Sequence, residues 1–573
     1  MQGLELDDSD PFGLASFQFD SFPSLTPFWP DPLFRSPPET FSLDSQAMDF
    51  DDFDRSRILH DLEDVPNAYK GDLPGCSQLS TILRQYFQYV SPYTPIIHVP
   101  SFGVKTCPSL FLLLLLAIGD VYSEHQTLEQ WARHSFRYLV RFEVEKYENS
   151  DEELSLTTIQ ALGMWIYELV YVRSHEPKAM LQATHARVTL SHACQKLQSD
   201  EERYRTRNQN GTDEIAWISW IRSETRRRVL MSIYMTETMV GMYLGVPPLL
   251  RVSQLKVPLP EPDELWYAES HQKWQQIRRN GKRGPSLQFN EVLSDLMNAG
   301  DLIREYNGVV GLHVIMVGIQ EIIAMARRMR EVDGEGHGST ALMAKSREAL
   351  EAWKASWQSS GQSLRVTTKG QYIAIMSAWC SAELSLTAPD LLLSMVNRVS
   401  KADNQAALMK QFLDEVDRTS KRLDLNHLMT AAAAAISHVE ALSEFGSIEE
   451  CLSVMETTVY PSVITSIFEG GLTLWFSIRI LERVGRYVPR AEKEILPRLL
   501  KAVNSIKWAT QLQNTSIAAL LGDLLMKMKV WSIPSSLHKL IQNFRRIWDD
   551  FSGTCLCKFY WGFVYEWDSV ITG

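Results

Sequence analysis

Apolar residues recur at helical spacing along most of the chain from residue 76 onward. Residues 157–172, TTIQALGMWIYELVYV, place apolar side chains three and four positions apart, which brings them onto one helix face. The two-residue alternation typical of half-buried strands is not sustained anywhere in the sequence. Helix-breaking positions divide the pattern into segments, at Pro108, Pro177, Gly211, residues 257–264, residues 279–286, residues 333–339 and Pro534. The pattern therefore predicts an all-α, multi-helical fold.

Residues 219–250, SWIRSETRRRVLMSIYMTETMVGMYLGVPPLL, set three consecutive arginines before an almost wholly apolar run. Consecutive helical residues are about 100° apart, so Arg226, Arg227 and Arg228 cannot form one narrow basic stripe. The apolar run covers every side of the helix, which indicates burial. A buried guanidinium needs a carboxylate partner, and Glu224 has the right spacing for Arg227 and Arg228. We therefore predict that the arginines serve packing and not DNA contact.

The end of this helix is marked by Gly245 and Pro247. Glycine adopts the left-handed conformation that closes many helices, and proline cannot extend one. We therefore predict that the helix ends at this point and that the chain turns away from it.

Composition indicates a chain with a large core and no membrane span. Of the 573 residues, 45% are hydrophobic and 16 are Trp. The longest apolar run, residues 110–118, is about half the ~20 residues that a spanning helix needs, so we expect a core helix.

The seven cysteines are scattered, apart from Cys555 and Cys557, and do not form a disulfide framework. The N-terminus has no signal-peptide pattern, which favours an intracellular location.

Almost all of the net charge of −12 lies at the N-terminus. Residues 1–54 contain twelve Asp and Glu against one base, Arg35, so the rest of the chain is nearly neutral. Nonspecific affinity for DNA comes largely from Lys and Arg that neutralise phosphates. A nearly neutral body therefore has no overall positive electrostatic potential that would attract nucleic acid.

The same N-terminal segment combines its acids with ten aromatic residues and seven prolines. Mutual repulsion among the acids keeps aromatics exposed, a composition typical of disordered activation segments. We predict that residues 1–70 are disordered and contact a partner. The alternative is an ordinary solvated tail. The predicted contact residues are Phe12, Phe17, Phe19, Phe22, Phe28, Trp29, Phe50 and Phe53.

Motifs for catalysis or for cofactor binding are missing from the sequence. It has no G-x-S-x-G elbow and no G-x-x-x-x-G-K-[ST] loop. The glycine-rich residues 334–339 follow a helical basic run, whereas a dinucleotide site requires a preceding strand. No close cysteine pair has the second pair that a zinc site needs. We predict that the chain is not an enzyme and holds no cofactor or metal.

Several of these segments together resemble the fungal-specific transcription factor domain, the regulatory middle region of fungal zinc-finger regulators. They are TTIQALGMWIYEL, HARVTLSHACQKL and W-x-x-W-I-x-x-E-T-R-R-R with its L-G-V-P-P exit. Residues 86–102, YFQYVSPYTPIIHVPSF, are similar to the opening of that domain. The resemblance extends over roughly residues 80–270. It implies a helical regulatory domain in a nuclear protein, with its core at residues 76–270 and a helical continuation at 271–573.

Members of this family usually contact DNA through an N-terminal zinc module, so the resemblance also implies zinc. In this sequence the acidic, aromatic segment stands in that position, and the ligands of a zinc module are absent. We therefore do not expect direct DNA contact by this chain. DNA contact would come from a partner protein or from a zinc module missing upstream.

The sequence-based hypothesis is a transcriptional activator or co-activator. The resemblance implies that it controls a metabolic or biosynthetic gene set in a fungus. The expected partners are the transcription machinery or co-activators, which bind the N-terminal segment, together with a DNA-binding protein or a second copy of the chain. The alternatives are a small-molecule-sensing helical module and a scaffold without a direct activating role.

Overall fold

A computed structural model describes the chain from residue 45 to residue 501, with internal gaps. The described ranges are 45–63, 73–123, 138–145, 147, 154–167, 169–170, 177–207, 213–280, 287–298, 308–333, 336–360, 369–388, 405–419, 425–443, 461–485, 491–497, 499 and 501. Structural statements below refer to these residues.

Most of the described residues lie in helices. Their only β-type pairing is an isolated antiparallel bridge between Pro258 and Gln288. The all-α prediction is confirmed. The α-helices are α1 (Asp52–Asp61), α2 (Cys76–Tyr89), α3 (Ser109–Gly119), α4 (Leu156–Tyr167), α5 (Pro177–Arg207), α6 (Asp213–Leu244), α7 (Asp263–Trp266), α8 (His271–Asn280), α9 (Phe289–Met297), α10 (Val309–Asp333), α11 (His337–Ser360), α12 (Lys369–Thr387), α13 (Gln405–Thr419), α14 (Leu425–Ser443) and α15 (Pro461–Val484).

One continuous hydrophobic core, from Met48 to Leu499, connects the described helices other than α7 and α8. The apolar run predicted to be a core helix is α3, whose leucines are buried. Helix α10 packs against α11 and α12 and also touches α6, so it lies between the earlier and later helices. The core therefore crosses residue 270, where the sequence suggested a boundary.

Helix α10 contains a long apolar stretch. By length and composition alone, Val309–Val332 could cross a membrane. However, 83% of its most apolar 18-residue window is buried inside the protein. This burial is typical of a core helix, because neighbouring helices supply the apolar surroundings that lipid would otherwise provide.

The predicted disorder of residues 1–70 is wrong for residues 45–63, which fold onto the body. Asp51 caps α1 by accepting from the Asp54 N–H at 2.9 Å, and Asp54 accepts from the Asp51 N–H in return. Carboxylates at a helix N-terminus satisfy unpaired N–H groups and face a favourable dipole. These acids therefore start a helix here, where the sequence reading assigned them only repulsion.

The two aromatic residues of this stretch have different environments. The Phe50 side chain is buried in the core, and its N–H donates to Ser80 Oγ at 2.9 Å. The Phe53 side chain is 74% exposed on α1. Phe50 therefore cannot contact a partner while this segment is folded, so its assignment to an exposed activation segment is wrong.

Helix α6 ends as the glycine and proline positions predict. Gly245 has a φ of 70°, in the left-handed region. Its N–H donates to the Met242 carbonyl at 3.2 Å, and the Val246 N–H donates to the Gly241 carbonyl at 2.9 Å. This pair of hydrogen bonds defines a Schellman cap, which satisfies carbonyls that the helix leaves unpaired. The cap folds the chain back over Gly241.

The Gly241→Ala variant should lower the free energy of unfolding by about 1–3 kcal/mol, since overpacking outweighs the gain in helix propensity. A Cβ atom at this position would lie 2.8 Å from the Val246 carbonyl oxygen, a backbone atom. The matched control is Gly338→Ala, whose Cβ would meet only the flexible end of Met329 at 3.6 Å. Chemical denaturation measures both variants, and equal stability of the two would contradict the steric argument.

A polar cluster lies between α12, α14 and α15. The Glu469 carboxylate accepts from Ser381 Oγ at 3.0 Å, and burial raises the pKa of Glu469 to about 7. The His438 ring nitrogen Nε2 lies 3.2 Å from Ser377 Oγ, and burial lowers the pKa of His438 to about 4. Both groups are therefore favoured in their neutral forms when the bundle is folded.

The raised pKa of Glu469 predicts a pH dependence of stability. Between its ordinary pKa of 4.5 and about 7, the folded chain binds the proton more tightly than the unfolded chain. This contribution to the free energy of unfolding is therefore present below 4.5 and is lost as pH rises to 7. Because Glu469 is only partly excluded from solvent, we expect a loss of about 2 kcal/mol.

Denaturation of Glu469→Gln and of the unaltered chain from pH 4.5 to pH 8 measures this contribution. The stability difference between the two should shift in favour of the variant as pH rises. His438 contributes the opposite slope in both proteins, so it cancels in the difference. Glu348→Gln, which changes an exposed carboxyl on α11, serves as the control. A difference independent of pH would show that Glu469 does not titrate in this range.

Candidate functional site

The arginine run at the middle of α6 points largely into the protein. Arg227 and Arg228 are buried, and Arg226 is half-buried. Arg227 Nη1 donates to Glu224 Oε2 at 2.8 Å, and Arg228 Nε donates to Glu224 Oε1 at 2.8 Å. The spacing of three and four residues along the helix places one carboxylate between two guanidinium groups.

Arg228 also joins α6 to the chain that follows it. Its Nη2 donates to the Glu261 carbonyl at 2.8 Å and to Asp263 Oδ1 at 2.9 Å. Its guanidinium carbon lies 4.5 Å from the centre of the Trp266 ring, a cation–π arrangement. This single side chain therefore positions residues 261–266 against the helix.

Glu224 of this cluster and the neighbouring His98 are both buried. Burial raises the pKa of the Glu224 carboxyl, and the charges of Arg227 and Arg228 oppose that rise. Burial and the charge of Arg228 lower the pKa of His98 to about 4, with its ring 5.0 Å from that of Trp266. The two arginines therefore stabilise the charged form of the carboxylate against the effect of burial, while burial and Arg228 favour the neutral form of the histidine.

A second buried ion pair lies further along α6. Arg187 on α5 donates two hydrogen bonds to Glu237, from Nε at 2.8 Å and from Nη2 at 3.1 Å. Both side chains are almost completely buried. Glu237 Oε2 also accepts from the Leu249 N–H at 3.1 Å. The pair links α5, α6 and the turn that leaves α6.

A third buried carboxylate comes from α10. Glu321 Oε2 accepts from the Tyr234 hydroxyl at 2.8 Å and from the Val252 N–H at 3.1 Å. Burial raises the pKa of Glu321, while these hydrogen bonds act to lower it. This contact fixes α10 against α6.

The three carboxylates have one function in common. Glu237, Glu321 and Glu224 accept the backbone N–H groups of Leu249, Val252 and Glu261 respectively. Residues 249–261 contain only one short 3-10 turn, so these N–H groups need partners from outside the segment. We call residues 249–261 the exit segment, and the three glutamates hold it in place.

Sequence reasoning missed two of these three glutamates. Glu237 and Glu321 each stand within a strongly apolar helical stretch. An isolated carboxylate in a helix that is apolar on every side requires a buried partner, and this rule could have identified both. Their partners Arg187 and Tyr234 could not be identified, because they are distant in sequence.

This arrangement has no open position for chemistry. Each of the buried charged groups forms hydrogen bonds with another side chain or with the backbone, and these groups are shielded from solvent. In the described part of the chain, no group of three or more His, Cys, Asp or Glu could hold a metal ion. Arg227 and Arg228 are buried and donate hydrogen bonds to Glu224, so they are not available to a phosphate backbone.

Most of the predicted activation residues cannot be placed. Phe12, Phe17, Phe19, Phe22, Phe28 and Trp29 lie outside the described residues. Of the other two, Phe53 is exposed and Phe50 is buried.

Comparison with known proteins agrees with this architecture. Residues 83–355 match the profile described as the fungal specific transcription factor domain. The chain contains a fungal specific transcription factor domain. The matched range includes the Glu224 cluster, the exit segment and α10, and it extends beyond residue 270, where the sequence placed the end of the core. The three-carboxylate arrangement is thus part of this domain.

A curated protein from Zymoseptoria tritici, named a transcription factor, is 33% identical over 63 residues. The match covers 11% of this chain and 6% of that protein. No solved structure matches the chain. The fungal specific transcription factor domain supports a role in the regulation of transcription.

The Arg228→Ala variant should destabilise the domain by about 3–5 kcal/mol, because it removes a buried cation that bonds the fully buried Glu224 and the partly buried Asp263. The matched control is Arg226→Ala, which removes the half-buried neighbour and should cost about 1 kcal/mol or less. Thermal and chemical unfolding measure both. If Arg228→Ala kept native stability but lost affinity for DNA, the arginine run would be a DNA-contacting surface.

Proposed function

We propose that this chain is a transcriptional activator or co-activator whose N-terminal residues 1–44 recruit the transcription machinery. The observation that carries the proposal is composition: these residues contain eight acids, one base and eight aromatic residues. Charge repulsion opposes collapse of the aromatics into a core, so they are available to a partner's apolar groove. The fungal specific transcription factor domain supplies the regulatory context.

The folded state of residues 45–63 limits the extent of the proposed activation segment. Residues 45–63 contribute Met48 and Phe50 to the core, so they belong to the body. The proposed activation segment therefore ends near Asp44. Its aromatic contacts are Phe12, Phe17, Phe19, Phe22, Phe28 and Trp29, with the exposed Phe53 as an additional contact on the folded body.

In this proposal, DNA contact comes from a partner protein or from a zinc module outside this sequence. The buried state of Arg227 and Arg228 supports a body that does not use its arginine run to read DNA. We propose that this chain itself holds no zinc or other cofactor. Control of a metabolic or biosynthetic gene set in a fungus, and association with a second copy of the chain, belong to the same proposal.

A tethered reporter tests the activating role. The full chain, fused to an unrelated DNA-binding domain, should activate a silent promoter, and deletion of residues 1–44 should abolish that activation. Deletion should leave the melting temperature of the purified chain unchanged, because the described core residues, from Met48 onward, are all retained. Transcription that persists after the deletion would contradict an activating role for this segment.

A composition-matched variant separates aromatic contacts from charge. Replacing Phe17, Phe19 and Phe22 with alanine keeps every acid and should remove most of the activation. Replacing Ser16, Ser21 and Ser24 with alanine in the same region is the control and should leave activation unchanged. A silent full-length fusion would favour the alternative roles of sensor or scaffold.

A further inference from the structure

The last turns of α10 expose an apolar stripe. Met325, Met329 and Val332 are 44%, 40% and 90% exposed. Their spacing of four and then three residues places them on one face of the helix. We call these three residues the α10 stripe. In contrast, the first half of the same helix is almost entirely buried, including Val314 and Ile315 at 0% exposure.

Arginines border this stripe on one edge. Arg328 follows Met325 by three residues, about 60° around the helix from it. Arg251 is exposed in the exit segment, next to Val252, whose N–H is bound by Glu321 one turn before Met325. The acid Glu331 lies further around the helix, about 120° from Met325. The stripe therefore combines flexible apolar side chains with a positive border.

Such a surface fits a peptide that is both aromatic and acidic. Methionine side chains adapt to differently shaped apolar partners and contact aromatic rings favourably. The stripe is about 10 Å long, enough for two aromatic rings side by side. Arg328 and Arg251 would face carboxylates that flank those rings, and arginine binds carboxylates with two hydrogen bonds.

Two parts of this chain outside the described residues contain several aromatic residues, and their charges distinguish them. Residues 4–22 contain five acids, no base and four phenylalanines. Residues 502–573 contain seven Lys and Arg against five Asp and Glu. Because the border of the stripe is positive, charge complementarity favours residues 4–22.

We propose that residues 4–22 of this chain dock on the α10 stripe, with phenylalanines against Met325, Met329 and Val332 and carboxylates against Arg251 and Arg328. The 22 residues from 23 to 44 can span up to roughly 70 Å. A body of this size is roughly 60 Å across. The stripe is therefore within reach from residue 45.

Docking would hide the phenylalanines that an activation partner needs. Only this regulatory consequence rests on the proposed function. The docking itself is a property of the purified chain and is measured without any transcription assay. A chain that docks but does not activate, or activates but does not dock, would separate the two proposals.

Photo-cross-linking of the full chain tests the docking. Met329 is replaced by p-benzoyl-phenylalanine, the protein is irradiated, and the cross-linked peptides are identified by mass spectrometry. We expect cross-links to residues 4–22 of the same chain. A mixture of nitrogen-15-labelled and unlabelled protein distinguishes links within one chain from links between two. Links to residues 502–573, links between chains, or no links would each overturn the proposal.

Two matched variants test its physical basis. Leu181 on α5 is 66% exposed, and p-benzoyl-phenylalanine at this position should give no cross-link to residues 4–22. Arg328→Glu, combined with the probe at Met329, should reduce the cross-linked product several-fold. Thermal unfolding checks that each variant is folded. An unchanged yield with Arg328→Glu in a folded protein would overturn the charge-based part of the proposal.

Discussion

The structure depends on three carboxylates that are removed from solvent yet hold backbone N–H groups of the exit segment. Glu224, Glu237 and Glu321 each accept one such N–H, and each also has an arginine or tyrosine partner. A buried carboxylate without these contacts would cost several kcal/mol. The exit segment lacks the repetitive hydrogen bonding of a helix, so the same contacts satisfy its backbone. The same contacts therefore stabilise the buried carboxylates and provide hydrogen-bond partners for the backbone of the exit segment.

The side chains of this cluster also determine how α6 packs against its neighbours. Through these contacts α6 is joined to α5 by Arg187 and to α10 by Tyr234, while Arg228 holds residues 261–266. Arg227 and Arg228 of the arginine run are engaged in these internal contacts. In this chain Arg227 and Arg228 thus help to build the interior of the domain.

Acidic residues occur in different sequence contexts on the two sides of residue 45. Asp51 and Asp54 satisfy the first turn of α1 and belong to the folded body. The acids of residues 1–44 are interspersed with aromatics and prolines, and no hydrophobic periodicity accompanies them. In the docking that we propose, the exposed α10 stripe, with Arg328 and Arg251 at its edge, is complementary in chemistry to those residues.

The sequence by itself determined the helical fold, the Glu224 contacts and the glycine cap, because these depend on spacings of a few residues along one helix. Only the tertiary structure decided that Arg187 meets Glu237, 50 residues away, and that Tyr234 meets Glu321, 87 residues away. It also decided that Phe50 is buried against Ser80. Such contacts depend on how distant helices pack, and a pattern of residues along one segment does not specify that packing.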